Sequence, residues 1–231
     1  IRAWPTYRPG DFDFKIMPNI QRIIALDLGL VNDKTVISLM YWDPMAREAW
    51  LHKQIVVRGV DEAIPSQYIN HLLRPEVFGT PILLPPDAST PGRYTMSSES
   101  IRTLFEQYEL NVLNEPVMNP PDSQGRRTNH KSYGINIMRQ MMEFGSFYIN
   151  ENCTDFLTEA QNYHVDDRGR FSDPDDCVDS ARYALLGCLN GWAEPWDNRT
   201  PAERMAAQRE RYVRRDDSTK PAWKKAYDPA G

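Results

Sequence analysis

Apolar positions fall in short dense runs in the first half of the chain and in helical stripes in the second. Residues Arg22 to Gly29 read RIIALDLG, a near-continuous apolar run of strand length, and predict a buried strand. Thr35 to Tyr41, rich in β-branched and aromatic residues, predicts a second strand, and Trp50 to Arg58 a third. The short spacings between them predict an antiparallel meander. From Asp61 to Leu73 the apolar positions Ala63, Ile64, Tyr68, Ile69, Leu72 and Leu73 follow a helical period. Thr80 to Pro85 is a short apolar strand ended by Pro85, Pro86 and Asp87. A helix capped near Ser97 follows through Ile101, Leu104, Phe105 and Tyr108, and Asn111 to Leu113 is a short fifth strand. After a polar loop over Met118 to His130 come a Met-rich helix from about Tyr133 to Phe144, a strand near Phe147 and a helix from Cys153 to Tyr163. The run DDRGR reads as a hairpin tip, and Asp173 with Pro174 is expected to cap and open a last helix reaching about Gly191. The order implies an α/β sheet with helices packed on it.

Composition adds limits. A chain of 231 residues that is 41% hydrophobic supports one large domain, or one domain with an appendage. Its many aromatic residues argue against disorder for most of it. The longest apolar runs are far too short to cross a bilayer, and no charged leader precedes an apolar segment, so no membrane partner is expected. The start, IRAWPTYRPGDFDF, lacks an initiator methionine and reads as extended. We expect residues 1–20 to be a linker from an upstream domain, 21–196 the folded domain, and 197–231 a basic tail. Cys153, Cys177 and Cys188 have no CxxC spacing and read as reduced thiols. The net charge of −5 is unevenly spread. From Arg199 onward nine basic residues face five acidic ones, so the tail is about +4 and the body about −9. Within that tail, Pro201 to Arg215 has the pattern of an exposed helix.

An acidic body turns attention to where its carboxylates lie. Asp27 ends the first apolar strand, where an unpaired carboxylate is costly; it must be paired, protonated or metal-bound. A salt bridge to a neighbouring Lys or Arg is as good an account of Asp27 taken alone. Asp87 lies just past the short strand ILLPP, where turn chemistry is the simpler account. In the last helix, DPDDCVDSARYALLGCLNGW, Val178, Ala181, Leu185, Cys188, Leu189 and Trp192 share one face, while Asp176 and Asp179 share another. A helix opened at Pro174 puts Asp175 and Asp176 in its first turn, where negative charge suits the dipole, and leaves Asp179 beyond it. Oxygen-only ligands from three elements suit magnesium or manganese, and two such ions can drive phosphodiester hydrolysis.

These residues carry a resemblance. Asp27 with Gly29, the strand before Asp87, the pattern DDxxDSARYAL from Asp175 to Leu185, and the stretch GINIMRQMMEFGSFYI before it resemble the nuclease domain of the large terminase subunit of tailed bacteriophages. That domain is of the ribonuclease H-like superfamily, and the resemblance covers roughly Gln21 to Gly191. It implies a mixed central sheet, three antiparallel strands plus parallel strands, flanked by helices. It implies a DNA endonuclease that cuts concatemeric double-stranded viral DNA when packaging starts and ends, using two Mg2+ or Mn2+ ions. Residue by residue it implies Asp27, Asp87 and Asp179 as catalytic metal ligands, with Asp176 beside them and Asp33 as an auxiliary. Asp33 in VNDK is otherwise a turn residue. It also implies an upstream ATPase domain of the same polypeptide, and the portal, procapsid and small terminase subunit as partners in the host-cell cytoplasm. This chain has no GxxxxGK[ST] loop, so no ATPase is expected within it.

Basic side chains near the carboxylates would be needed for DNA. Arg93, the loop residues Arg126, Arg127 and Lys131, and the hairpin-tip residues Arg168 and Arg170 are the candidates for phosphate contacts, although each taken alone reads as a solvated loop cation. His130 and His164 are assigned no catalytic role. Two other classes remain as alternatives. An actin-like or sugar-kinase phosphotransferase would share the strand ending in DxG, but its second phosphate motif and Gly-rich adenosine motif are missing. A non-catalytic DNA or portal docking module would rely on the tail alone.

Overall fold

The structure is a computed structural model. It describes residues 5–29, 34–58, 69–74, 77–90, 99–114, 116–119, 121, 123–126, 128–165, 171–195, 199–200, 202–203, 206–207 and 209–210. Among the described residues, seven strands form one mixed sheet. They are β1 (Thr6–Tyr7), β2 (Gln21–Asp27), β3 (Thr35–Asp43), β4 (Glu48–Val57), β5 (Ile82–Leu83), β6 (Phe147–Asn150) and β7 (Glu194–Pro195). The order across the sheet is β1, β6, β4, β3, β2, β5, with β7 on β2. Strands β2, β3 and β4 are the expected antiparallel meander, while β5 runs parallel to β2, and β6 parallel to β4 and β1. The fifth strand expected at Asn111 to Leu113 is a single parallel bridge from Val112 to Ile82.

Four helices complete the described domain: α1 (Ile101–Gln107), α2 (Lys131–Glu143), α3 (Thr154–Asn162) and α4 (Asp176–Leu189). Ser100 caps α1, its hydroxyl accepting from Thr103 N at 3.1 Å. Of the helix expected over Asp61 to Leu73, residues 69–72 are helical, and 61–68 lie outside the described residues. The arms of the expected hairpin meet at Val165 and Phe171, while its tip also lies outside them.

Both faces of the sheet are covered, which is why residues 23–26 of β2 form a continuous apolar run rather than alternating. On one face Ile23, Ala25, Val36 and Met40 pack with Val178, Ala181 and Leu185 of α4 and with Met138 and Phe156. On the other, Ile24, Leu26, Ile37 and Leu39 pack with Ile101 and Phe105 of α1 and with Ile69 and Leu72. Part of the segment expected as a linker is folded onto the sheet. It supplies β1, and Tyr7, Phe14 and Ile20 are buried with Tyr41 and Trp50. Alternation along β2 assigns Asp27 to the face of Ile23 and Ala25, the face that carries α4.

Candidate functional site

Helix α4 lies against β2 because its sequence permits close approach. At Gly187 a Cβ would stand 2.5 Å from Ile23 Cδ1 and 3.1 Å from Leu83 Cδ2, so glycine lets helix and sheet meet there. Two turns earlier, the buried Ser180 hydroxyl lies 3.1 Å from both Ala25 O and Val36 O and shares its one proton between them. Gln54 Nε2 donates to Cys177 O at 2.8 Å and ties the same end of α4 to β4. These contacts bring the start of α4 to the end of β2.

The consequence is a crowd of carboxylates. Burial pushes the Asp27 carboxyl up to about 8, and Asp179 and Asp176 add to the push, with Lys131 opposing it and Asp175 adding a smaller part. Asp175 is also raised, again first by burial, although its hydrogen bond to Lys131 works the other way. The Lys131 ammonium lies 2.7 Å from Asp175 Oδ2 and 2.8 Å from Asp179 Oδ2. Burial works against its charge, but the two carboxylates prevail and hold Lys131 above its ordinary range. The other oxygen of Asp179, Oδ1, accepts from Arg182 Nε at 3.0 Å. Arg182 is fully buried, also donates to Asn129 Oδ1 at 3.3 Å, and lies 4.4 Å from the centre of the Tyr183 ring. Gly134 of α2 makes room for it, since a Cβ there would come within 2.6 Å of Arg182 Cγ.

The start of α4 differs from the expectation. The helix begins at Asp176, not at Pro174, so Asp179 sits in its first turn, where the helix dipole favours negative charge. No side chain at the N-cap position caps it. The cap comes instead from the buried Glu159 of α3, whose Oε2 accepts from Cys177 N at 2.8 Å and Val178 N at 3.3 Å. Glu159 Oε1 receives Lys34 Nζ at 2.6 Å, and Lys34 lies 3.8 Å from Asp176 Oδ2. A residue just before β3 is thereby pinned to both α3 and α4.

The other expected site residues fall as follows. Asp87 lies in a single 3-10 turn, Pro86–Ser89, directly after β5. Parallel pairing of Ile24 with Ile82 and Ala25 with Leu83, carried two steps further, sets Asp27 level with Pro85. Asp87 thus lies two residues past the position level with Asp27 and is half-buried. Arg126 is exposed on the loop before α2. Lys131, expected on that loop, is the first residue of α2 and belongs to the carboxylate cluster. Asp33, Arg93, Arg127, Arg168 and Arg170 lie outside the described residues. Sequence reading missed Lys34, Glu159, Ser180 and Arg182. The last two stand in the quoted DSAR run, where a Ser and an Arg within an otherwise apolar helix were the available signal.

Among the described residues, no three Asp, Glu, His or Cys side chains stand together ready to hold a metal ion. The donor chemistry nevertheless fits a hard divalent cation: oxygen-only side chains, Asp179 buried and Asp27, Asp175 and Asp176 half-buried, mutually repelling, and met on Asp175 and Asp179 by a compact ammonium. Among the described residues, no helix is long and apolar enough to cross a membrane.

Comparison with known proteins agrees with this fold. The protein-family model described as Terminase RNaseH-like domain matches residues 24–187. The P22 large terminase nuclease domain is similar in structure, with a TM-score of 0.63 and 20% identity, over 83% of this chain and 90% of that one. The large terminase nuclease of the thermophilic phage G20c, solved with bound magnesium, gives a TM-score of 0.50 and 19% identity, over 79% of this chain and 90% of that one. A search of curated proteins returned no match.

Proposed function

The chain belongs to the terminase RNaseH-like domain family, and on that premise we propose that it is the metal-dependent nuclease domain of a viral genome-packaging terminase. Its reaction is hydrolysis of a phosphodiester bond in concatemeric double-stranded DNA, at the start and end of packaging. The observation that carries the reading is geometric: the Ser180 hydroxyl, 3.1 Å from Ala25 O and Val36 O, docks the first turn of α4, with Asp176 and Asp179, at the end of β2, where Asp27 stands. Further support is the presence of magnesium in the G20c terminase nuclease.

Asp27 and Asp179 would hold the ions, with Asp87 and Asp176 completing the set and Asp33 auxiliary. Two divalent ions would supply an activated water and stabilisation of the leaving oxygen. The chain's own part is placement. Ser180 sets the height of α4 on the sheet, Glu159 fixes its first turn, and Arg182 locks one oxygen of Asp179. Arg93, Arg126, Arg127, Arg168 and Arg170 are proposed to hold DNA phosphates, which would position the strand without reading its sequence. An upstream ATPase domain, the portal, procapsid and small terminase subunit, and the host cytoplasm complete the proposed setting.

The test is cleavage of supercoiled plasmid by the chain with Mg2+ or Mn2+, with EDTA and Asp179→Asn as controls. Nicking and linearisation that need the metal and vanish in the variant are expected. Undiminished cutting by Asp179→Asn, or in EDTA, would refute the reading.

A further inference from the structure

We propose that Lys131 is the resident counter-ion of the acidic site, an ammonium that a divalent ion must displace, and so the residue that sets the site's metal affinity. The inference rests on the metal-site reading above and adds to it a role for a side chain that pattern reading placed among DNA contacts.

The two oxygens of Asp179 are held by different cations. Oδ1 is held by Arg182, whose side chain is 0% exposed, and Oδ2 by Lys131, which is 35% exposed. Arg182 is wedged against Gly134 and the Tyr183 ring and has nowhere to go. Lys131 has a flexible stem, an open side and only its ammonium engaged. The same ammonium also holds Asp175 Oδ2, so it fills the space between two carboxylates with a single charge. Such bridging is what a small cation does, and a lysine ammonium is a compact point charge where an arginine is a planar fork.

Its position on α2 supports a site-directed role. Lys131 is the first residue of that helix, where the dipole disfavours a cation, and the preceding His130 gives no side-chain cap. A lysine there serves the carboxylates of α4 rather than its own helix. It relieves their repulsion while no metal is bound. On metal entry the ammonium leaves Asp179 Oδ2 and becomes a free cation at the edge of the site, while Arg182 keeps Oδ1 fixed.

Two measurements on the whole chain test this. In the first, wild-type protein is treated with an amine-acylating reagent, with and without Mn2+, and Lys131 modification is quantified by mass spectrometry. Lys131 should be shielded without metal and several-fold more reactive with it. In the second, Mn2+ binding is followed by electron paramagnetic resonance for wild type, Lys131→Met and Asp179→Asn. Loss of the competing charge should tighten binding by Lys131→Met, on the order of tenfold. Equal modification of Lys131 in both states, or Mn2+ binding by Lys131→Met no tighter than wild type, would overturn the proposal. The first arm needs no variant to fold. Wild-type Mn2+ affinity in Asp179→Asn would sink the metal-site reading itself, and this inference with it.

Discussion

Two regions of this domain bury ionisable groups and treat them in opposite ways. At the end of β2, Asp27 is packed among Asp175, Asp176 and Asp179, and burial with like charge pushes it up to about 8. Under the N-terminal segment, His52 is enclosed by rings. The Tyr7 hydroxyl lies 3.1 Å from its Nδ1, and the ring centres of Tyr41 and Phe14 lie 4.9 and 5.4 Å from its own. Burial, with a smaller part from Lys53, lowers His52 to about 4. The aromatic region lets its histidine go neutral and fills the space with stacked rings, such as Phe14 on Tyr41 at 4.2 Å and Trp50 on Tyr148 at 5.7 Å. The acidic region crowds carboxyl groups together, leaves Asp27 holding its proton, and sets lysine and arginine against Asp175 and Asp179. One arrangement is what stability favours. The other is tolerated because a carboxylate cluster has a use.

The sharpest way to break that contrast is to substitute once in each region. Asp27→Asn replaces a carboxyl whose ionisation the fold resists. DNA cleavage should fall on the order of a hundredfold or more, with metal-free thermal stability at pH 8 unchanged or raised. Trp50→Ala removes a fully buried ring from the aromatic region. It should cost about 3–5 kcal/mol in chemical denaturation while leaving Mn2+ affinity of the folded protein close to wild type. A Trp50→Ala protein that stays folded but no longer binds Mn2+ would show the two regions to be one unit.

A smaller effect, with opposite signs in the two regions, is expected from pH in metal-free protein. Asp27 keeps its proton in the folded state up to about pH 8, whereas the unfolded chain loses it near 4. Its contribution to stability is therefore full below about 4, declines as pH rises, and is gone above 8. His52 stays neutral in the folded state down to about 4, whereas the unfolded chain protonates it near 6.5. Its contribution is full above about 6.5 and is lost as pH falls toward 4. Thermal melts from pH 4.5 to 8.5 should thus show the two trends opposing below 6.5 and Asp27 dominating above it. Asp27→Asn should flatten the alkaline fall, incompletely because Asp175 is raised too. His52→Gln should flatten the acid fall. An unchanged alkaline slope in Asp27→Asn would remove the basis for treating that carboxyl as strained.

How far the sequence could be read follows from the range of the forces involved. The β2 to β4 meander was legible because strand runs and short turns are local, and Asp27 stood out as a charge at the end of an apolar run. The start of α4 was not. Asp173 and Pro174 have the local signature of a helix start, but the cap is Glu159, which reaches Cys177 N from 18 residues upstream in another helix. Lys131 was misplaced for the same reason: its partner Asp175 is 44 residues away, and only packing of α2 against α4 joins them. Tyr7, Phe12 and Phe14 follow no strand or helix period, so nothing in their spacing announces that the segment folds onto the sheet. Asp87 is intermediate. Its strand was legible, but its nearness to Asp27 depends on the parallel register of β5 beside β2.

The smallest predicted effect joins packing to the site. Gly187 lies two turns past Asp179, on the part of α4 that touches β2. Gly187→Ala would set a methyl 2.5 Å from Ile23 Cδ1 and 3.1 Å from Leu83 Cδ2. Both are ends of flexible side chains and can give way, so a cost at the low end of overpacking is expected, about 1–2 kcal/mol. Alanine's better helix propensity returns about 0.5–1 kcal/mol of it. Net destabilisation should therefore be slight. The geometric effect is larger in proportion, because Ser180 anchors the front of α4 while the methyl lifts its C-terminal end. That tilt changes the approach of Asp179 to Asp27, and Mn2+ affinity should weaken a few-fold while the melting temperature hardly moves. If affinity stays at the wild-type value, the Ser180 bonds to Ala25 and Val36 alone fix the first turn of α4, and the acidic region is insulated from the core beneath it.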